Sequence, residues 1–167
     1  MAAALVLLLV GGVVFCRRQD SEWEQVYVAA AARLWHGQDL YRFGDNYLYP
    51  PFMACTALPF LALPQPLTRL VWFLINVCCL LVLLRWSWRL AGGGRLQGYP
   101  PAPPRERLAA LLGCLCGLFY VQNCLAHQQT DLVIAVLLLG GIVLWRRGRP
   151  LSAATSFGLA AASKCTG

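Results

Sequence analysis

Three groups of polar side chains stand out against a greasy chain. The first is a set of carboxylates, Asp20, Glu22 and Glu24, around Trp23; the second is Asn123, His127, Gln128, Gln129 and Asp131 beside an apolar block; the third is Lys164 in another. A carboxylate at a bilayer surface can take the proton of an attacking hydroxyl as a general base. Amide, imidazole and ammonium groups can hold the negative charge of a departing group. An ionisable residue at membrane depth is functional by default, so Lys164 reads as an anion ligand, with snorkelling to the headgroups as its structural alternative. The structural alternative for the acids is a solvated loop. For His127, Gln128 and Asp131 it is hydrogen bonding at helix ends, and Asp131 suits an N-cap because a helix follows it.

The elements that must position these groups are apolar blocks. Of the 167 residues, 59% are hydrophobic and 13% charged, and the mean hydropathy is +0.58. A soluble domain needs more polar surface. About 20 apolar residues cross roughly 30 Å of hydrocarbon as a helix, and the blocks lack the alternation of a transmembrane barrel strand. The chain therefore reads as all-α and polytopic, one membrane domain over 1–167 with spans at about 1–16, 67–86, 108–125, 131–145 and 151–163. Residues 17–66 form an outer loop. Within it, Glu24 to His36 is expected as an interfacial helix with Trp23 and Trp35 at headgroup depth and His36 beside them. The proline-bounded stretch to Leu63 suits a re-entrant or interfacial helix, and Pro51 holds Pro50 extended, so Tyr49-Pro50-Pro51 shapes a turn. Trp72 and Asn76, four apart, share a helix face and read as packing.

Charge orients the bundle. Eight of the 14 basic residues lie in two loops, Arg85, Arg89, Arg95, Arg105 and Arg107 in one and Arg146, Arg147 and Arg149 in the other. The positive-inside rule sends both loops to the cytoplasm and the acidic segment, the His127 to Asp131 cluster and Lys164 to the outer face; Arg17 and Arg18 run against it. The net charge of +7 thus reads as topology, and no nucleic-acid partner is expected. Six of the eight cysteines lie in or beside apolar blocks, without C-x-x-C spacing, and read as packing residues, so neither a metal nor a disulfide is assigned.

At the level of motifs the chain shows Glu22-Trp23, Tyr27, Ala29-Ala30, Gly37-Gln38-Asp39-Leu40-Tyr41, Tyr47-Leu48-Tyr49-Pro50-Pro51, Trp72, Asn76, Asn123, His127-Gln128-Gln129-Thr130, Arg147-Gly148-Arg149-Pro150 and Lys164. In order and spacing this resembles glycosyltransferase family 87, membrane enzymes of the GT-C helical fold. Glu22 stands where the family has Asp, His127 where it has Gly, and Thr130 where it has Asn. The resemblance implies a transferase moving a mannose- or arabinofuranose-class sugar, with inversion, from a polyprenyl-phosphate donor to a glycan or glycolipid acceptor, on the outer face of a bacterial plasma membrane. No cofactor is expected beyond that lipid-linked co-substrate. It implies Glu22 as the base, with Asp20 and Glu24 as alternates, and Tyr27, Tyr49, His127, Gln128 and Lys164 as donor-binding residues. It also implies an N-terminal part of a longer enzyme. The rival readings are a non-catalytic transporter or scaffold and an inactive truncated form. A transporter is disfavoured because residues 67–84 carry a single charge, Arg69 near their start, residues 132–144 carry none, and no internal repeat is seen.

Overall fold

The computed structural model describes residues 12–13, 17, 21–41, 47–90 and 104–164. Asp20, most of the expected span over 1–16, and positions 91–103 lie outside them. All regular structure among the described residues is helical. A π-helical turn, Trp23–Val28, runs into α1, Ala29–Trp35; α2, Pro51–Ala57, continues as a 3-10 turn, Leu58–Ala62; then follow α3, Gln65–Leu90, α4, Pro104–Ala126, α5, Asp131–Arg146, and α6, Pro150–Ser163. Proline opens α2 and α6 because the first helical turn has no need of its N–H.

Three of these helices end in the same motif. After α1, Gly37 takes φ +66, Gln38 N donates to Arg33 O at 2.9 Å and Gly37 N to Leu34 O at 3.1 Å. After α5, Gly148 takes φ +69, with Arg149 N on Leu144 O and Gly148 N on Trp145 O. These are Schellman caps, which satisfy orphan carbonyls through a left-handed residue. After α4 the same two bonds form, Gln129 N to Cys124 O at 2.9 Å and Gln128 N to Leu125 O at 3.2 Å. Here the left-handed residue is Gln128, at φ +55, a conformation that costs a side-chain-bearing residue about 1 kcal/mol.

Two packing nuclei hold the helices. In the first, Trp23 lies flat on Trp72 of α3, ring centroids 3.5 Å apart and 6° from parallel, and Phe60 meets Trp23 edge-on at 5.0 Å. Tyr27 and Tyr47 are buried beside them, and Ala30, Ala31, Ala54 and Ala57 let α1 and α2 approach closely. In the second, α5 and α6 form an antiparallel pair folded at Gly148. A Cβ at Gly141 would lie 2.6 Å from the Phe157 ring and one at Gly140 would lie 3.1 Å from Trp86, so adjacent glycines admit α6 on one side and α3 on the other. Ser156 Oγ also donates to Leu137 O at 2.7 Å.

The structure corrects three expectations and supports a fourth, the membrane-spanning body, in part. Trp23 is a core residue with 1% exposure, not a headgroup-depth side chain, whereas Trp35 is 72% exposed. The loop before α4 is shorter than expected, because the helix opens at Pro104 rather than Leu108. Asp131 is the first residue of α5, preceded by Thr130 as cap, and its carboxylate is engaged elsewhere. Lastly, among the described residues α3 is the one helix shown to be long and apolar enough to cross a membrane. Its 26 residues rise about 39 Å. The 16 residues of α5 and 14 of α6 rise about 24 and 21 Å, short of a full crossing.

Candidate active site

Ser21 and Glu22 begin the helical run, and the sequence Ser-x-x-Glu over 21–24 is the local signal for it. Ser21 Oγ accepts from Glu24 N at 3.3 Å and donates to the side-chain oxygen of Gln128 at 2.7 Å. Glu22 N donates to His127 O at 2.9 Å. Trp72 Nε1 donates to Gln128 O at 2.8 Å, and the Tyr27 and Thr130 hydroxyls meet at 3.2 Å. The 127–130 turn is thus bound to the 21–27 segment across about a hundred residues of chain, and the left-handed turn at Gln128 is what aims its side chain and carbonyl at two different elements.

The Glu22 carboxylate stands at the edge of this frame, half-buried. Tyr49 Oη donates to Oε1 at 2.9 Å, and among the described residues no partner takes Oε2. Tyr27 in turn hydrogen-bonds Tyr49, their rings 4.8 Å apart. Burial pushes the Tyr49 phenol up, with its bond to Glu22 adding and Tyr27 opposing. Burial also raises Tyr27 strongly. Both stay neutral and can act as donors at any physiological pH. On the far side, Lys164 Nζ donates to Asp131 Oδ1 at 2.6 Å and Tyr120 Oη to Oδ2 at 2.8 Å. That bond to Asp131 holds Lys164 above its ordinary value, and the nearby Glu22 carboxylate acts on it in the same direction. One end of the bundle therefore combines a half-buried carboxylate, a neutral phenol bridging from it toward the core, and an ammonium held by a second carboxylate.

The residues anticipated from sequence separate into three kinds. Glu22, Tyr49, His127 and Lys164 are partly accessible; Glu22 meets Tyr49 through its carboxylate and His127 through its backbone, and it acts electrostatically on Lys164. Tyr27 and Gln128 are buried, with 0% and 1% exposure, and hydrogen-bond Thr130 and Ser21 within the frame. Glu24 points away, its Oε2 held by Arg69 Nε at 2.5 Å, and these two with Arg17, Gln25 and Gln65 line a separate cleft of about 350 Å³. Trp72 and Asn76, read as helix packing, carry more than that, since Trp72 ties α3 to the turn and Asn76 Nδ2 bonds Trp72 O at 3.0 Å. Ser21, Thr130 and Tyr120 were not anticipated. The Ser-x-x-Glu spacing signalled Ser21; nothing local signalled Thr130 or Tyr120, whose partners lie on other helices.

The sequence model of glycosyltransferase family 87 matches residues 47–167. No curated protein and no solved structure matches the chain. The matched stretch holds Tyr49, His127, Gln128, Asp131 and Lys164, and the preceding segment with Glu22 is the part that the hydrogen bonds above tie onto it. With nearly three quarters of its length matched, the chain belongs to glycosyltransferase family 87, a membrane-associated family of sugar-transferring enzymes.

Proposed function

We propose that the protein transfers a sugar of the mannose or arabinofuranose class from a polyprenyl-phosphate donor to a hydroxyl of a glycan or glycolipid, at the outer face of the plasma membrane. The observation that carries this reading is the pairing of a Glu22 carboxylate, fixed through one oxygen by Tyr49, with the Lys164 ammonium, both tethered to the 127–131 turn.

In this reading the acceptor oxygen attacks the anomeric carbon while Glu22 Oε2 takes its proton. The bond from that carbon to the phosphate oxygen breaks, and the polyprenyl phosphate leaves with the electron pair, its charge met by Lys164 with His127 beside it as a further donor. A single displacement inverts the anomeric centre. Tyr49 keeps Oε1 in place, so the other oxygen is the one presented. Asp131 is already committed to Lys164 and Tyr120 and serves the cation rather than the acceptor. The aligned helix ends, the apolar α3 and the arginine-rich opposite end favour a membrane body in which α4, α5 and α6 are embedded beside α3.

The test is transfer of radiolabelled sugar from polyprenyl phosphate by membranes bearing the protein. Glu22→Gln is expected to lower the rate about 10²- to 10⁴-fold with donor binding retained, and Lys164→Gln to raise the donor KM. Normal transfer by Glu22→Gln would remove the base assignment. Impermeant thiol labelling of single cysteines at 22 and 129, both partly exposed, is expected to reach both from the outer side.

A further inference from the structure

We infer that a cleft between α3 and α5, at the end of the bundle opposite the Glu22 site, binds the phosphate of an anionic phospholipid headgroup. The cleft has a volume of about 260 Å³ and is lined by Trp86, Arg89, Leu90, Val143, Arg146 and Arg147. Its origin lies one turn deeper. Gly140 lets the Trp86 ring close against α5, with only 3.1 Å left for a Cβ, so the two helices are pinned there. Beyond that pin α5 ends at Arg146 while α3 runs on to Leu90, and the next turn of each helix opens the space, with Trp86 as its roof.

The electrostatics select an anion. Arginines at 85, 89, 146, 147 and 149 fall at the ends of α3 and α5 and just before α6, stretches that hold no acid. Residues 85–90 and 143–150 together carry a formal charge of +5. The C-termini of α3 and α5 oppose it with about half a negative charge each, which three guanidinium groups in the cleft outweigh. A topology signal alone asks only that arginines lie near the membrane edge. It does not ask that three of them share a walled cavity with a tryptophan. Guanidinium forks match phosphate oxygens in pairs, whereas the cationic head of a zwitterionic lipid would meet three like charges.

The walls point to a lipid rather than a free ion. Trp86, Leu90 and Val143 supply an apolar side suited to a glycerol backbone and the start of an acyl chain, and Trp88 and Trp145, both largely exposed on the same two helix ends, mark headgroup depth. Basic clefts between helices on the cytoplasmic side are the usual seat of anionic headgroups. The inference rests on this end lying at the cytoplasmic leaflet and is independent of the sugar chemistry proposed for the other end.

The full-length protein, purified in a neutral detergent, is titrated with short-chain phosphatidylglycerol, with short-chain phosphatidylcholine and with inorganic phosphate, and bound lipid is counted by native mass spectrometry. Phosphatidylglycerol is expected to be retained at one site and the other two probes not. The Arg89→Gln, Arg146→Gln, Arg147→Gln triple variant is expected to bind it about 100-fold more weakly. A second variant, Arg85→Gln, Arg149→Gln, removes two charges at the same end outside the cleft and is expected to stay within about threefold of the parent. The Arg89→Lys, Arg146→Lys, Arg147→Lys variant keeps charge and topology but loses the forks, and an intermediate loss is expected even where the glutamine variant fails to fold. Equal losses in the two glutamine variants, unchanged binding in the lysine variant, equal retention of phosphatidylcholine, or competition by inorganic phosphate at the same concentration would each overturn the inference.

Discussion

The left-handed residue at the end of α4 offers the sharpest test of how the site is held. Gln128 sits at φ +55, where glycine would be at ease, as it is in the equivalent caps at Gly37 and Gly148. It keeps that strained position because its side-chain oxygen takes the Ser21 hydroxyl at 2.7 Å in a buried setting. Replacing Gln128 by Ala removes that bond, worth about 1–3 kcal/mol when a buried partner is left unpaired, and keeps the strain. Replacing it by Gly removes the same bond but relieves about 1 kcal/mol of backbone strain. Gln128→Gly should therefore be the more stable of the two by about 1 kcal/mol, with both below the parent. Denaturant unfolding in detergent, followed through the fluorescence of the stacked Trp23 and Trp72, measures the order. Both variants should also lose transfer activity, because Glu22 N is bonded to the carbonyl of the preceding residue. If the alanine variant equals or exceeds the glycine variant in stability, the account of the cap as a strained tether is wrong.

Other outcomes follow from the same geometry. Gly141→Ala places a Cβ 2.6 Å from the Phe157 ring and should cost about 1–3 kcal/mol by overpacking, whereas Gly158→Ala, with nothing within 4 Å, should leave unfolding midpoints unchanged or slightly higher. Tyr47 donates to Pro50 O at 2.6 Å and accepts from Ala54 N at 3.1 Å, and burial pushes its phenol up to about 12 from an ordinary 10.0. Its neutral form is thus favoured by folding: the contribution is whole below pH 10 and is lost as pH rises through about 12. A Tyr47→Phe variant should be about 1–3 kcal/mol less stable at neutral pH and show a shallower alkaline decline in a pH-resolved melt. Asp131→Asn should leave the fold within about 1 kcal/mol, since its partner Lys164 is partly exposed, yet raise the donor KM; an unchanged KM would separate Asp131 from phosphate binding.

Much of the helical layout could be read from residue order alone, because proline at helix starts, glycine at left-handed caps and uninterrupted apolar runs act over a few residues. That reading located α3 to within a turn, α5 and α6 to within a residue or two, and the π-to-α run beginning near Glu24. Motif spacing also put forward Glu22, Tyr49, His127 and Lys164, of which the last three lie in the stretch that the family model matches.

What one dimension could not decide was which polar groups meet. Trp23 looked interfacial because tryptophan is common at headgroup depth; only its stack on Trp72 makes it the core. Tyr27 and Gln128 carried the right chemistry for substrate, but burial and hydrogen bonds from Ser21 and Thr130 turn them into framework. Asp131 had the local signature of a helix cap, and lost that role to Tyr120 and Lys164, 11 and 33 residues away. Local propensity is set by neighbours in the chain and therefore survives as a signal in sequence. Charge already placed the acidic segment and Lys164 at one face, but a hydrogen bond between helices depends on how those helices pack, so the tertiary structure alone determined that Tyr49 holds Glu22 and Asp131 holds Lys164.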